Sequence, residues 1–317
     1  MAGKTTKQGL MQPGRSLGIK RSVGEFLFDY ANVIFMVVFA FCTIYPFWYI
    51  LVLSLNEGRD AAMGGIWFWP RSFTFNNYAF VILNPAVINA YKVTIARTVS
   101  GSFLTLLVCG LAAYALTKHA LPGRTFIITL FLIPMFIGGT VVSYYVVFSR
   151  LGMLNRFWVY IIPGSFSFFQ MIIMRTFMYT IPPSLEESAK IDGAGYLTVF
   201  FRIIIPLSMP IIATTLLFSA VGHWLDFYTN MVYVSKRALM TVQYLLWLVV
   251  LSGQPSMSAM TQEKAAGSGN SALLAGSVTP QSIKMATIMV VTLPILFIYP
   301  FLQRYFVHGV LIGSVKE

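Results

Sequence analysis

Six stretches of this chain, at about 31–55, 91–117, 125–149, 157–179, 204–229 and 285–306, are apolar over a length that meets or approaches a membrane crossing. A hydrocarbon core of about 30 Å takes roughly 20 apolar residues of helix, and it offers no water to unpaired backbone amides. The expected fold is therefore an all-α membrane protein with six transmembrane helices. Composition agrees, because 57% of the residues are hydrophobic and only 10% charged, which exceeds what a soluble core requires. The first run is too long for a signal-peptide core and is followed by "LSLNEGRD", without a small-residue cleavage site, so it is expected to stay as a span. A seventh run, "ALMTVQYLLWLVVLSG" at 238–253, is shorter and ends in "SGQPS", which predicts an interfacial helix.

The net charge of +12 sets orientation and does not suggest nucleic acid, since the basic residues are scattered between apolar runs. Lys4, Lys7, Arg15, Lys20 and Arg21 precede the first span, and Lys118, Arg124, Lys190, Arg202 and Lys316 fall on the same face. The positive-inside rule makes that face cytoplasmic, although Arg59, Arg71, Arg150, Arg156, Lys236 and Arg237 then lie outside. The predicted layout is a cytoplasmic tail at 1–30, a six-span domain at 31–308, a cytoplasmic elbow at 182–206, an outer loop at 230–284 and a cytoplasmic tail at 309–317. Within the outer loop, "QEKAAGSGNSALLAGS" reads as a linker. Both termini are expected inside a plasma membrane that the chain crosses several times.

Catalytic and metal chemistry find little support. Cys42 and Cys109 lie in apolar segments and read as packing residues; His119, His223 and His308 lack metal-ligand spacing. "MAGKTTKQG" holds Gly-Lys-Thr without the upstream glycine and strand of a phosphate loop. The serines of "PGSFSFF" at 163–169 have no assignable histidine partner. No metal, no cofactor and no catalytic residue are expected on this chain.

The most informative stretch is "EESAKIDGAGYLTVFFRIIIPLSMP" at 186–210, a compact polar elbow between two apolar spans. Pro182 and Pro183 stop the preceding span, Ser184 and Glu187 have capping-box spacing, and Glu186 adds charge to a first helical turn. Asp192-Gly193 is a turn signal, and a second helical run leads to Pro206, so two short helices at an angle are predicted. Ser188, Ala189, Gly193, Ala194 and Gly195 leave little bulk, which lets another protein approach the backbone. A plain connector would use a cap and a turn as well.

The ordered set "EESA" at 186–189, "DGA" at 192–194 and "RIIIP" at 202–206 resembles the cytoplasmic signature of permease subunits of bacterial ABC importers, with Ser188 in place of an alanine and Ile205 in place of a leucine. Together with the "YPFLQRYFVHGVLIGSVKE" ending, the chain is similar to the carbohydrate-uptake branch, and within it to the smaller maltose-type permease subunit and to lipoprotein-linked oligosaccharide permeases. The resemblance implies a type I importer fold whose residues 184–196 form a coupling helix between spans four and five. ATPase coupling would then rest on Glu186, Glu187, Ser188, Ala189, Asp192, Gly193, Ala194 and Pro206, and the tail residues Gly309, Gly313 and Lys316 would touch the ATPase. It also implies the partners: a second permease subunit in a heterodimer, an ABC ATPase dimer that binds ATP and Mg²⁺, an extracytoplasmic sugar-binding protein or lipoprotein, and membrane lipid.

Candidates for the substrate pathway are His223, Trp224, Asp226, Tyr228 and Asn230 in "GHWLDFYTN", with Tyr144 and Gln170 beside them, since sugars are held by aromatic faces and uncharged polar groups. Asp226 either lines the pathway or caps a helix end and pairs with a nearby cation. Tyr144, Tyr145 and Gln170 have helix packing or interface anchoring as the competing reading. Rival classes are an ion-coupled secondary transporter, which would place several acids near the bilayer midplane, and a structural scaffold, which leaves the elbow unexplained. An importer of a non-sugar solute is a further alternative.

Overall fold

A computed structural model describes residues 23–250 and 278–314, with side chains through residue 297. The basic cluster before the first span, the 262–277 linker and Lys316 lie outside the described residues. All regular structure among the described residues is helical; an isolated bridge between Asn56 and Phe73 is the one extended pairing there. The chain divides into two units, one up to Tyr49 and one from Ile50 onward.

The first unit is built on helix α1, which runs Val23–Ser54 and so enters the second unit at its end. Phe41, Tyr45 and Tyr49 stack along one face at successive i, i+4 steps, and Cys42 is exposed, so the packing role expected of it has no counterpart among the described residues.

The second unit is organised by α4, Pro85–Ala115. Asn84 caps it, its side chain accepting from the Ala86 amide at 2.9 Å, and Pro85 occupies the first turn where no amide is needed. Its buried stripe, Ala90, Thr94, Arg97, Gly101, Thr105, Cys109 and Ala113, steps by three and four and is made largely of small residues. Helices therefore approach α4 closely: α7 (Phe168–Met178) and α11 (Met209–Leu225) both pack on it. Between α1 and α4 lie α2 (Gly58–Ala62) and α3 (Asn76–Ile82), and the buried Asn77 ties this segment down by donating to the Ser54 and Asn56 carbonyls.

Glycine and proline divide three of the expected spans. The 125–149 run is two helices, α5 (Arg124–Phe136) and α6 (Val141–Arg150), bent by 119° at a break that holds Gly138 and Gly139. The 204–229 run bends by 87° at Ser208, between Pro206 and Pro210. The 157–179 run is a 3-10 turn at Phe157–Tyr160, a break through Pro163 and Gly164, and the 11-residue α7, which at about 16 Å is too short to cross alone. Among the described residues three helices have the length and apolarity to cross a membrane, or five if each bent pair counts as one crossing. The remaining elements among the described residues are α8 (Pro183–Ile191), α9 (Tyr196–Val199), a π-helical turn at Phe200–Ile204, α10 (Ile205–Leu207), α12 (Tyr228–Tyr233), a 3-10 turn at Arg237–Leu239, α13 (Val242–Val250) and α14 (Pro280–Ser314). The short α13 falls where an interfacial helix is expected. Helix α14 continues past 306 through Ser314, so the last glycines do not end it: at helical φ and ψ a glycine costs only about 1 kcal/mol.

Candidate functional site

The elbow is α8 and α9 joined at Gly193. Helix α8 starts two residues earlier than the capping-box reading, with Pro182 at the cap and Pro183 in the first turn, so Ser184 sits inside the helix and makes no cap bond. At the other end the Gly193 amide donates to the Lys190 carbonyl at 3.0 Å and the Ala194 amide to the Ala189 carbonyl at 2.9 Å. This is a Schellman closure, and it requires the left-handed φ of +82° found at Gly193. A β-carbon at Gly193 would meet open space, so conformation and not packing demands glycine there.

The two adjacent glutamates separate in role. Glu186 turns inward and forms ion pairs with Lys118, just past the end of α4, and with Lys190 one turn along, the latter at 2.9 Å. Its Oε1 also accepts from the Tyr114 hydroxyl at 3.2 Å, and Lys118 lies 4.0 Å over the Tyr114 ring. Partial burial pushes the Glu186 carboxyl up, but its bonds and attraction to Lys118 and Lys190 outweigh this and hold it below the usual range. Lys190 reaches on to the Tyr196 ring at 4.7 Å, which joins the two halves of the elbow. Glu187 points outward, as do Leu185, Ile191, Tyr196 and Leu197, with Ile191 87% exposed. Beneath this surface Val199 and Phe200 are sealed into a core with Tyr114, Met171, Met174 and Met178, so the elbow is anchored on α4 and α7. A cleft of about 380 Å³ opens between Glu186, Tyr179, Pro182 and the end of α4.

A second polar locus lies along α4. Arg97, only 2% exposed, pairs with the Asp226 carboxylate and donates to the Asp226 carbonyl at 2.9 Å; the guanidinium also lies 4.6 Å over the Tyr160 ring. Asp226 also accepts from the Thr229 amide in the first turn of α12 at 3.0 Å. The His223 ring fills a niche left by Gly101 and Gly164. Arg97, Ser167, Gln170, His223 and Asp226 line one cleft of about 260 Å³, and the buried Oε1 of Gln170 has no hydrogen-bond partner there.

Residues 106–312 match the family model of the binding-protein-dependent transport system inner membrane component. Over 292 residues the chain is 37% identical to Protein LplC of Bacillus subtilis (strain 168), covering 92% of this chain and 95% of LplC. It is 33% identical to the polygalacturonan/rhamnogalacturonan transport system permease protein YtcP of the same organism, covering 92% and 98%. The chain belongs to this permease family. The permease also superposes, with a TM-score of 0.82 and 27% identity over 90% of this chain and 99% of the other, on a chain of a crystal structure of a bacterial ABC transporter that imports the acidic polysaccharide alginate. It is a membrane-embedded transport subunit of an ABC importer and not an enzyme, and the secondary-transporter reading is not favoured. The chain's resemblance to ABC importer permeases of the carbohydrate branch is thereby borne out.

Of the pathway candidates in this permease, the structure brings together Gln170, His223 and Asp226. Trp224 turns the other way and packs edge-on against Tyr91, with centroids 6.2 Å apart, in a cluster with Val87 and Val242. Asn230 is fully buried and serves the backbone, accepting from the Thr241 amide at 2.7 Å. Tyr144 covers Gly139, and Tyr228 stands partly exposed at the start of α12. Asp226 pairs with Arg97, accepts from the Thr229 amide and lines the cleft. Arg97 escaped the sequence reading, although a lone arginine inside the apolar 91–117 run was a usable signal.

Proposed function

We propose that this chain is the transmembrane subunit through which an oligosaccharide, delivered by an extracytoplasmic binding protein or lipoprotein, enters the cytoplasm at the expense of ATP bound with Mg²⁺ to a separate ATPase dimer. The observation that carries it is the elbow: a Schellman-closed helix whose inner glutamate is locked to α4 while Glu187 and Ile191 face outward on a rigid mount. Such a surface is suited to seat in a partner, so residues 184–196 are assigned as the coupling helix, with Ser188, Ala189, Asp192 and Ala194 at its contact and Pro206 setting the exit to α11. Both termini are placed in the cytoplasm, with six crossings if the bent pairs and the 157–179 segment each count as one. A related but different permease completes a heterodimer, and Gly309, Gly313 and Lys316 approach the ATPase.

The cleft at Arg97 and Gln170 is assigned to the sugar pathway, with YtcP and the alginate importer pointing to acidic oligosaccharides. Uptake into proteoliposomes holding the reconstituted importer tests this. Uptake should require internal ATP, the binding protein and an oligogalacturonide or related uronate oligosaccharide. ATP-independent uptake, or equal uptake of neutral and acidic oligosaccharides, would contradict the corresponding half of the assignment.

A further inference from the structure

We propose that Arg124, Arg175 and Tyr179 form a site for the phosphate headgroup of an anionic phospholipid, with an acyl chain along the exposed face of α5. Arg124 opens α5 and Arg175 lies in the last turn of α7, two apolar helices that pack on each other. The Arg124 Nη2 donates to the Tyr179 hydroxyl, and Arg175 Nη2 donates to the same oxygen at 3.0 Å. Their guanidiniums lie 5.8 and 5.1 Å from the centroid of the Tyr179 ring. Two cations thus converge on one phenol oxygen, and His119 Nδ1 stands 3.1 Å from Arg124 Nη1. Among the described residues neither arginine forms an ion pair with a carboxylate. Like charges held this close call for an anion, and a guanidinium pair matches phosphate oxygens in geometry as well as charge.

A lipid is favoured over free phosphate by what lies next to the cluster. Phe126, Leu130 and Ile133 are 70%, 51% and 51% exposed, and their i, i+4, i+7 spacing puts them on one side of α5 leading away from Arg124. A cationic end with an apolar strip is the complement of a phospholipid, and a tyrosine at such a helix end sits at headgroup level.

Native mass spectrometry of the assembled importer, purified from bilayers of equal phosphatidylglycerol and phosphatidylcholine, tests the site. Arg124 is the residue to change, because Arg175 also holds the Leu116 carbonyl at 3.1 Å and its loss would disturb the end of α4. Wild type should retain phosphatidylglycerol preferentially; Arg124→Gln should reduce that retention roughly five-fold and Arg124→Lys should restore most of it. Equal retention of the two lipids, or retention unaltered in Arg124→Gln, would overturn the proposal. Displacement of the lipid by millimolar inorganic phosphate alone would assign the cluster to the free ion, and protection of Arg124 by the ATPase or second permease in cross-linking would assign it to a protein contact; either outcome contradicts a lipid site.

Discussion

Glu186, on the inner side of the elbow, is ion-paired to Lys118, three residues past the end of α4. The pair places the elbow and α4 in one rigid connection, and α4 carries Arg97 about 27 Å further along, where it holds Asp226 at the end of α11. A displacement of the elbow thus has a path to the polar cleft through a single helix.

Breaking the lock at Lys118 should loosen this connection. Lys118→Met leaves Glu186 partly buried with Lys190 and the Tyr114 hydroxyl, a loss of about 1–3 kcal/mol in the seating of α8. Limited proteolysis within 180–195 should become faster, and substrate-stimulated hydrolysis by the importer should fall while basal hydrolysis stays. A double change, Lys118→Met with Glu186→Gln, should be less harmful than the sum of the two single ones.

The same carboxylate sets a pH dependence. Its folded value lies below the unfolded one of about 4.3, so the charged form contributes stability above that pH, which is lost as pH falls through the lowered folded value. The difference in thermal midpoint between wild type and Glu186→Gln should be constant from pH 6 to 8 and should close on acidification below about pH 4. A difference that grows on acidification would mean the carboxyl is held protonated instead.

How far the residues alone lead is visible at this elbow and at the cleft. Helix and turn follow from prolines, a glycine and small side chains within 25 residues, which are local rules. The bends at Gly138-Gly139 and Ser208, and the break at Pro163-Gly164, were equally local, but a long apolar run masks them, since hydropathy counts residues and ignores direction. Arg97 with Asp226, and Trp224 with Tyr91, are pairs between distant segments that spacing does not reveal. The start of α8 was missed because a proline in the first turn supplants a serine cap.

Arg97 and Asp226 separate structural from transport roles. Arg97→Met should destabilise the assembled subunit by about 3–5 kcal/mol, because it strands a carboxylate in a cleft within the helices. The double variant Arg97→Met, Asp226→Leu should assemble again yet transport poorly, since the cleft has lost its polar wall. Recovery of both assembly and uptake would reduce the pair to a structural one.

Gly101 and His223 are matched in size. A β-carbon at 101 would lie 2.5 Å from His223 Nε2, so Gly101→Ala forces α11 or the ring away from α4, at about 1–3 kcal/mol. His223→Ala in the same chain should restore the melting temperature. Trp224→Ala, by contrast, empties a packed position and should lower stability with the concentration dependence of uptake unaltered.

The central claim is that the outward face of the elbow transmits ATP-driven motion. Ile191 tests it with the least disturbance, because a side chain 87% exposed contributes little to the fold of its own chain. The measurement is ATP hydrolysis by purified importer carrying Ile191→Glu, with and without the loaded binding protein, alongside docking of that protein at the outer face. The account predicts intact docking with substrate-stimulated hydrolysis lost, or the ATPase released from the complex. Full stimulation of hydrolysis by the loaded binding protein in Ile191→Glu would contradict it.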